Sequence, residues 1–261
     1  MRSVRLAFTH WRISAMNELQ YRANFFVQII HSGLALVTGL VAIWLVFSHT
    51  TDLGGWSQPE LLVVMGIHVL VGGVLRTFIE PNMRRLMTDV EEGTFDYVVV
   101  KPVDAQMLSS IRDLKVWHLV DVVLGFGVLS YGMAQLPGTA SALDLAAFLV
   151  TLVAGMIMIY SVWIMITSTA FRVVRSEEVL NLFDGFYQTG RWPVSVYPLW
   201  LRGTLTFLVP LAFAITVPAE SLSNRLTSGT VLLAVGFCLV LLFVTRFVWL
   251  LNLKHYSGAS A

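Results

Sequence analysis

Long, continuously apolar runs constrain this chain more than any other feature of its sequence. A helix that crosses a bilayer needs ~20 mostly apolar residues. A membrane β-barrel would instead alternate apolar and polar residues, and only helices or closed barrels satisfy every backbone polar group in lipid. Charged residues make up 13% of the 261 residues and hydrophobic residues 56%, whereas soluble domains are about 25% charged. The sequence therefore predicts an all-α integral membrane protein with one transmembrane domain, residues 1–261.

The apolar runs predict six transmembrane helices. Pro59 opens the second helix and Pro81 closes it, because proline is tolerated at a helix start but ends a helix from inside. The predicted spans are Ala23–Phe47, Glu60–Ile79, Leu114–Ala134, Leu145–Phe171, Val179–Trp192 and Thr230–Leu251.

The region of the fifth span is the least regular, because it is rich in proline. Four of the eight prolines of the chain follow it: Pro193, Pro198, Pro210 and Pro218. Hydropathy alone would make Leu201–Val217 the fifth span, yet Pro210 lies in its middle and breaks or kinks a helix there. We favour the more polar Val179–Trp192 as the fifth span. Leu199–Val217 is then predicted to be a broken, re-entrant helical pair within an extracellular region, residues 193–228.

The N-terminal segment, Met1–Arg22, has the pattern of a helix that lies in the membrane interface. Its apolar residues recur at spacings of three and four, and its basic residues fall largely on the other side, as in interfacial helices. Packing on a soluble partner is the alternative. With six spans, fourteen Lys and Arg residues lie on the side of the N-terminus and three on the opposite side. The positive-inside rule then predicts that both termini are cytoplasmic.

A charged stretch, Glu80–Asp104, separates the second and third spans. Nine of its 25 residues are charged, so it must lie in water at one face of the bilayer, and the basic residues place it in the cytoplasm. Gly93 permits a tight turn, and Pro102 prevents a continuous helix into the third span. We predict that residues 80–112 form a docking surface for a soluble partner; an ordinary solvated loop is the alternative.

A few polar side chains lie within the predicted spans. A charge in lipid is costly, at least ~2.5–3.5 kcal/mol for Asp at a helix centre. Asp121, Asp184 and Gln188 are therefore candidates for a translocation path, and the alternative is that they only form hydrogen bonds at helix contacts. Arg76 and Glu80, four residues apart, predict an ion pair that snorkels to the interface.

The sequence lacks the motifs of several enzyme classes. There is no phosphate loop of the G-x-x-x-x-G-K-[S/T] type, so the chain does not bind ATP in that way, and neither H-E-x-x-H nor G-x-S-x-G is present. The six histidines have no metal-ligand spacing, and the one cysteine lies in an apolar run. We expect no catalytic residue, metal or cofactor in this chain.

Two motifs resemble those of a known family, the permease subunits of ABC-2 type ABC transporters. The first resembles the family's E-x-G-T-[LF]-[DE] loop, which ends in a proline and forms a coupling helix that sits in the ATPase. Its residues here are Glu91, Glu92, Gly93, Thr94, Phe95, Asp96, Lys101 and Pro102. The second resembles the extracellular re-entrant region that precedes the last span. Its residues include Pro193, Pro198, Trp200, Pro210 and Pro218.

Together with the order of the predicted elements, this resemblance covers the whole chain. It implies a permease from the branch of short, six-span bacterial proteins, with an N-terminal interfacial (elbow) helix, a cytoplasmic coupling helix and re-entrant helices. A separate ABC ATPase, in two copies, would carry ATP and Mg.

The resemblance also implies a second permease, identical or a sister chain, in the bacterial inner membrane. It favours export of an amphipathic or lipid-like substrate, and no nucleic-acid partner is expected. Two readings from other classes stay open at this point. One is a non-transporting membrane scaffold, and the other is an intramembrane enzyme with Asp121 and Asp184 as its carboxylates.

Overall fold

The computed structural model describes residues 2–19, 22–138, 140–171 and 185–256, and within these ranges the chain is helical without a β-strand. Its α-helices are α1 (Arg2–Leu19), α2 (Arg22–Phe47), α3 (Gln58–Val74), α4 (Glu80–Glu91), α5 (Asp96–Val99), α6 (Ala105–Ser109), α7 (Leu119–Gln135), α8 (Ala142–Ser168), α9 (Leu199–Gly203), α10 (Val217–Leu222) and α11 (Ser228–Leu253). Short 3-10 turns cover Val116–His118, Thr169–Phe171 and Val194–Val196, and π-helical turns cover Leu75–Ile79, Thr204–Leu208 and Ala212–Thr216. Residues 185–189 are also helical.

Five helical segments among the described residues are long and apolar enough to cross a membrane: Ala23–Phe47, Gln58–Glu91, Val116–Gln135, Ala142–Phe171 and Ser228–Leu253. The prediction of an all-α membrane protein is confirmed. A sixth candidate is a pair, Leu199–Leu208 and Ala212–Leu222, whose halves bend by 79° at the break between them. The break contains Pro210, as predicted. Of the predicted fifth span, residues 179–184 lie outside the described residues, and residues 185–189 are helical.

The second span does not end at Pro81, so that prediction is wrong. The helix continues from Gln58 to Glu91 through the π turn Leu75–Ile79. In this wide turn the backbone N–H of Glu80 donates to the carbonyl of Leu75, five residues back. Pro81 then stands in the first turn of α4, where a missing N–H costs little. One helix of 34 residues therefore reaches from the membrane into the charged stretch.

Glycines allow α3 and α7 to lie backbone against backbone. A Cβ built on Gly66 would overlap the backbone of Leu129, and one on Gly125 would overlap the backbone of Leu70. The same holds one heptad further along each helix, at Gly73 and Gly132. The pairing is antiparallel, and small residues at such contacts are typical of helices that associate in lipid.

The remaining spans pack around this pair. At the beginning of α3, Glu60 forms a capping box with Ser57 and an ion pair of 2.8 Å with Arg225, whose guanidinium lies over the ring of Trp56. α8 packs against α11, where the amide of Asn252 donates to the hydroxyl of Ser168 over 2.9 Å. The bent pair fills the space beside α8.

The glycine contact gives a stability prediction with an internal control. We expect Gly125→Ala to destabilise the protein by about 1–3 kcal/mol, because the methyl group overpacks against α3. Gly127→Ala on the same helix should be neutral or slightly stabilising, since a Cβ there would meet nothing within 4 Å and alanine is the better helix former. The measurement is thermal or denaturant unfolding in detergent, and equal midpoints for the two variants would contradict the close contact.

Candidate functional site

The charged stretch folds into a compact helical turn at the end of the long helix. α4 ends at Glu91, and Gly93 adopts a φ of 70°, the left-handed conformation that glycine favours. α5 and α6 follow, with a bend around Pro102 between them. The turn expected at Gly93 is therefore present.

Asp89 anchors this turn to the bundle, although its side chain is almost completely buried. One carboxylate oxygen accepts from Arg85 Nε at 3.1 Å and from Thr94 Oγ1 at 3.2 Å, and the other from Arg112 Nη1. The backbone carbonyl of Asp89 accepts from the N–H of Phe95 at 2.9 Å. A buried carboxylate needs such a full set of donors, and this one ties together the end of α4, the turn and the segment after α6.

Asn82 makes a second connection between α4 and the same segment. Its side-chain oxygen accepts from the backbone N–H groups of Arg112 and Asp113 at 2.7 and 2.9 Å. Its amide donates to the carbonyls of Phe78 and Asp113 at 2.7 and 2.8 Å. All four hydrogen bonds of the buried amide are thus made within the chain.

Phe95 does not lie on the surface of the turn, so the expectation that its side chain touches a partner is not met. The ring is fully buried and packs against Phe171 at 5.0 Å, Tyr256 at 5.2 Å and Trp249 at 6.4 Å between centroids. Burial and the neighbouring Asp96 carboxylate raise the pKa of Tyr256 to about 12. Burying a large aromatic ring is strongly favourable, and here it fixes the turn to the ends of α8 and α11.

The other predicted coupling residues are arranged around this anchor. Thr94 and Asp96 are half-buried. The exposed members of the turn form one surface, which we call the docking surface: Glu91, Glu92, Tyr97, Val99, Val100, Lys101 and Pro102. Tyr97 and Val100 are 72% and 78% exposed, which is unusual for apolar side chains on the water-facing part of a membrane protein. Sequence reasoning missed them.

A groove of about 420 Å³ runs beside the docking surface, between α4 and the segment from Thr94 to Lys101. It is lined by charges of both signs: Arg85, Asp89, Glu92, Lys101 and Arg112.

Asp104, at the start of α6, forms an ion pair with Arg246 in α11. Partial burial alone would raise the pKa of Asp104, but hydrogen bonds from Arg246 and from the backbone of Met107 hold it below its usual range. Asp104 is therefore ionised at neutral pH and pairs with Arg246 Nη2 at 2.6 Å.

The interior holds a second candidate site, a cavity of about 130 Å³ between α2, α3, α7 and the segment from Gln188 to Trp192. Its polar lining consists of Ser32, Thr38, His68, Arg76, Asp121, Gln188 and Arg191. The structure thus brings together Asp121 and Gln188, two of the three residues predicted for a translocation path. The third, Asp184, lies outside the described residues.

Asp121 is the centre of the polar cluster in this cavity. Its Oδ2 lies 3.2 Å from Arg76 Nη1, 3.3 Å from Gln28 Nε2 and 3.4 Å from His118 Nδ1. The predicted pair of Arg76 with Glu80 is not formed, and Glu80 pairs instead with Arg84 Nε at 2.8 Å. Asp121 is buried, and a buried carboxylate needs a positive partner more than an exposed one does.

Tyr187 anchors the far wall of the cavity to α3. Its hydroxyl donates to the carbonyl of His68 at 2.6 Å, and its ring stacks on the imidazole at 4.7 Å between centroids. Gly72 leaves room for this approach, because a Cβ there would lie 3.1 Å from the Tyr187 hydroxyl, which is a tight contact. The segment after residue 185 is therefore held against α3 before the chain turns at Pro193.

The prolines predicted for the region from residue 193 to 228 occupy different environments. Pro193, Pro210 and Pro218 are buried, and Pro198 is exposed together with Trp200, which is 72% exposed. Metal-binding clusters of His, Cys, Asp or Glu are not found within the ranges that the structure covers.

A family described as ABC-2 family transporter protein matches residues 34–260, which is most of the chain. The chain belongs to the ABC-2 transporter family. It is therefore a multi-pass membrane subunit of an ABC transporter, a permease rather than an enzyme itself, and ABC-2 permeases generally work with an ABC ATPase. The match begins within α2, so α1 lies outside it. Neither a curated protein nor a solved structure matches the chain.

The buried anchor gives a prediction for the dynamics of the permease. Asp89→Asn keeps the shape of the side chain but removes the charge that Arg85 and Arg112 share. We expect amide hydrogen exchange in residues 92–104 to accelerate about tenfold or more, because hydrogen bonds to charged groups are worth roughly 1.5–3 kcal/mol. Glu92→Gln, at an exposed carboxylate nearby, should leave exchange unchanged. Equal exchange in both variants would show that Asp89 does not hold the turn.

Proposed function

We propose that this permease uses residues 80–112 as its coupling element, with the docking surface seated on a separate ABC ATPase. The observation that carries the proposal is the continuity of the helix from Gln58 to Glu91. His68, Gly72 and Arg76 on this helix line the cavity, and Glu91 at its end belongs to the docking surface. A displacement of the surface would therefore move a wall of the cavity directly.

The composition of the docking surface supports a protein partner. The surface combines exposed apolar side chains with the carboxylates of Glu91 and Glu92, the two kinds of side chain from which an interface with an apolar centre and a polar rim is built. Mixed charges in the adjacent groove favour orientation and on-rate more than affinity.

Two permeases and two ATPases would form the working transporter. One face of α2 carries exposed apolar residues at alternating spacings of four and three: Ile30, Leu34, Val37, Val41 and Trp44, each more than half exposed. Spacings of four and three along one face are those with which two helices interdigitate. We propose that α2 contacts the second permease, identical or a sister chain.

We further propose cytoplasmic termini, which the basic residues favour, together with a bacterial inner-membrane location, an interfacial α1 and a re-entrant bent pair on the outside, which the family resemblance implies. α1 is tied to the segment before α7, where Ser14 Oγ donates to the carbonyl of Leu114 at 3.0 Å and Lys115 pairs with Glu18 at 2.6 Å. We propose that the transporter is an exporter, that its substrate is amphipathic or lipid-like, and that ATP and Mg bind only to the ATPase.

The partner can be tested by purification of tagged permease from its native membrane, with mass spectrometry of the proteins that accompany it. We expect a phosphate-loop ATPase with the wild type and its loss, by about tenfold or more, with the triple variant Glu91→Ala, Glu92→Ala and Tyr97→Ala. The control variant Tyr131→Ala with Leu143→Ala removes side chains of similar exposure, 61% and 80%, at the opposite end of the bundle. Unchanged recovery of the ATPase with the triple variant would refute the docking surface.

The orientation can be tested with single cysteines in a Cys238→Ser background. Ser195→Cys and Glu92→Cys are both at exposed positions. An impermeant thiol reagent added to intact cells should label the cysteine at residue 195 and leave that at residue 92 unlabelled until the cells are opened. The reverse pattern would invert the topology.

A further inference from the structure

The cavity at Asp121 is too small for a whole lipid but suits a small polar group. Its volume of about 130 Å³ is close to that of a cavity of about 150 Å³ that holds one benzene molecule. Along α3 it extends from Met65 to Arg76, which corresponds to about 16 Å at 1.5 Å per residue. A head group therefore fits, while an acyl chain would lie outside it.

The charges in the cavity do not balance. Arg76 and Arg191 contribute two positive charges and Asp121 one negative charge. Asp121 already has Arg76, Gln28 and His118 around one oxygen. Arg191 forms no ion pair within 4.0 Å in the described part of the chain; it lines the cavity and is also one of the exposed residues of the structure. Among the described residues that line the cavity, the charges therefore sum to one positive charge.

His68 adds no free donor or acceptor to this wall. Its ring lines the cavity, but its Nδ1, for which the described residues offer no hydrogen-bond partner, is closed off from the water-accessible space. The lining around the polar cluster is apolar: Ala35, Leu36, Ala42, Ile43, Met65 and Val69. A site with one uncompensated guanidinium and apolar walls matches the boundary between the head and the chain of an amphipath.

We propose that this cavity binds the anionic head group, a phosphate or carboxylate, of an amphipathic substrate. The inference rests on the proposed transport function and names the substrate class for it. Arg191 would bind the anion directly, and Arg76 would share its donors between the anion and Asp121, which acts as an internal competitor. Arginine suits this role because its planar fork matches carboxylate and phosphate oxygens. A cation is disfavoured, since it would have to displace Arg76 from Asp121.

The test measures binding to the purified full-length permease in detergent, without any ATPase. The probes are dihexanoyl phosphatidylglycerol, which is anionic, dihexanoyl phosphatidylcholine, which is zwitterionic, and free glycerol phosphate. Native mass spectrometry counts the bound molecules, and the tryptophan fluorescence of the protein, to which Trp192 in the cavity wall contributes, reports affinity. We expect the anionic lipid to bind about tenfold or more tightly than either other probe.

Two substitutions with opposite expected effects on lipid binding distinguish this role from a structural one. Arg191→Gln should weaken binding of the anionic lipid about tenfold or more, and Arg191→Lys should retain most of it. Asp121→Asn should strengthen binding, because it releases Arg76 from its internal partner while keeping the shape of the side chain. Arg202→Gln is the control, since Arg202 follows in the same region but does not line the cavity.

Three results would overturn the proposal. They are equal binding of the zwitterionic lipid, equal binding of free glycerol phosphate, and loss of binding in both Arg191→Gln and Asp121→Asn. Because the binding assay contains no ATPase, a negative result in it does not bear on the proposed docking surface. Likewise, failure to recover an ATPase in the purification does not bear on the proposed binding site.

Discussion

The backbones of α3 and α7 touch, and the positions of both functional regions depend on this contact. Lipid offers helices no hydrophobic reason to associate, so close packing and polar contacts across the helix pair must hold them together. The glycine pairs supply the packing, and Arg76 and Asp121 bridge the same two helices at 3.2 Å. The contact fixes the middle of the long helix, which in turn fixes the cavity on one side and the direction in which α4 leaves the bundle.

The coupling role proposed for residues 80–112 requires that the end of α4 be rigid. A flexible loop would absorb a displacement through its own backbone. Here Asp89 satisfies the charges of Arg85 and Arg112, Asn82 satisfies four backbone groups, and Phe95 is buried among aromatic rings. These contacts hold the turn as part of the folded domain, so a force on its surface is carried into the helix.

Hydropathy predicted most of this fold from the sequence, because the cost of exposing backbone groups in lipid leaves few alternatives. The helix boundaries of α2, α8 and α11 follow from their apolar runs to within three residues, whereas the third span was predicted to begin at Leu114 and α7 begins at Leu119, after a 3-10 turn. Pro81 misled the prediction because a π turn, which no local pattern announces, places the proline in a tolerated position. The break at Pro210 was predictable because a proline in the middle of an apolar run removes a backbone hydrogen bond and interrupts the helix; π turns flank it on both sides.

The site was only partly predictable, because its side-chain contacts join different helices and no local sequence pattern specifies them. Asp121 and Gln188 were recognised as polar residues in apolar surroundings, but the partners of Asp121 lie on three different segments. Arg76 could not be assigned to Asp121 without knowing that α3 and α7 are in contact. Phe95 was misassigned because a motif records which residues occur together and not which of them face the interior. Asp89, a charged residue in a charged stretch, gave no signal of its burial.

The separation between buried anchor and exposed surface has a consequence for how such permeases diversify. Asp89 and Phe95 maintain the shape of the turn, whereas Glu91, Glu92 and Tyr97 contribute little to it. If the docking surface seats on an ATPase as proposed, substitutions at the exposed positions change which ATPase is accepted without unfolding the turn. Duplicated genes of this type could acquire separate ATPases by drift at a few surface positions, while the mechanical element inherited from their ancestor stayed the same.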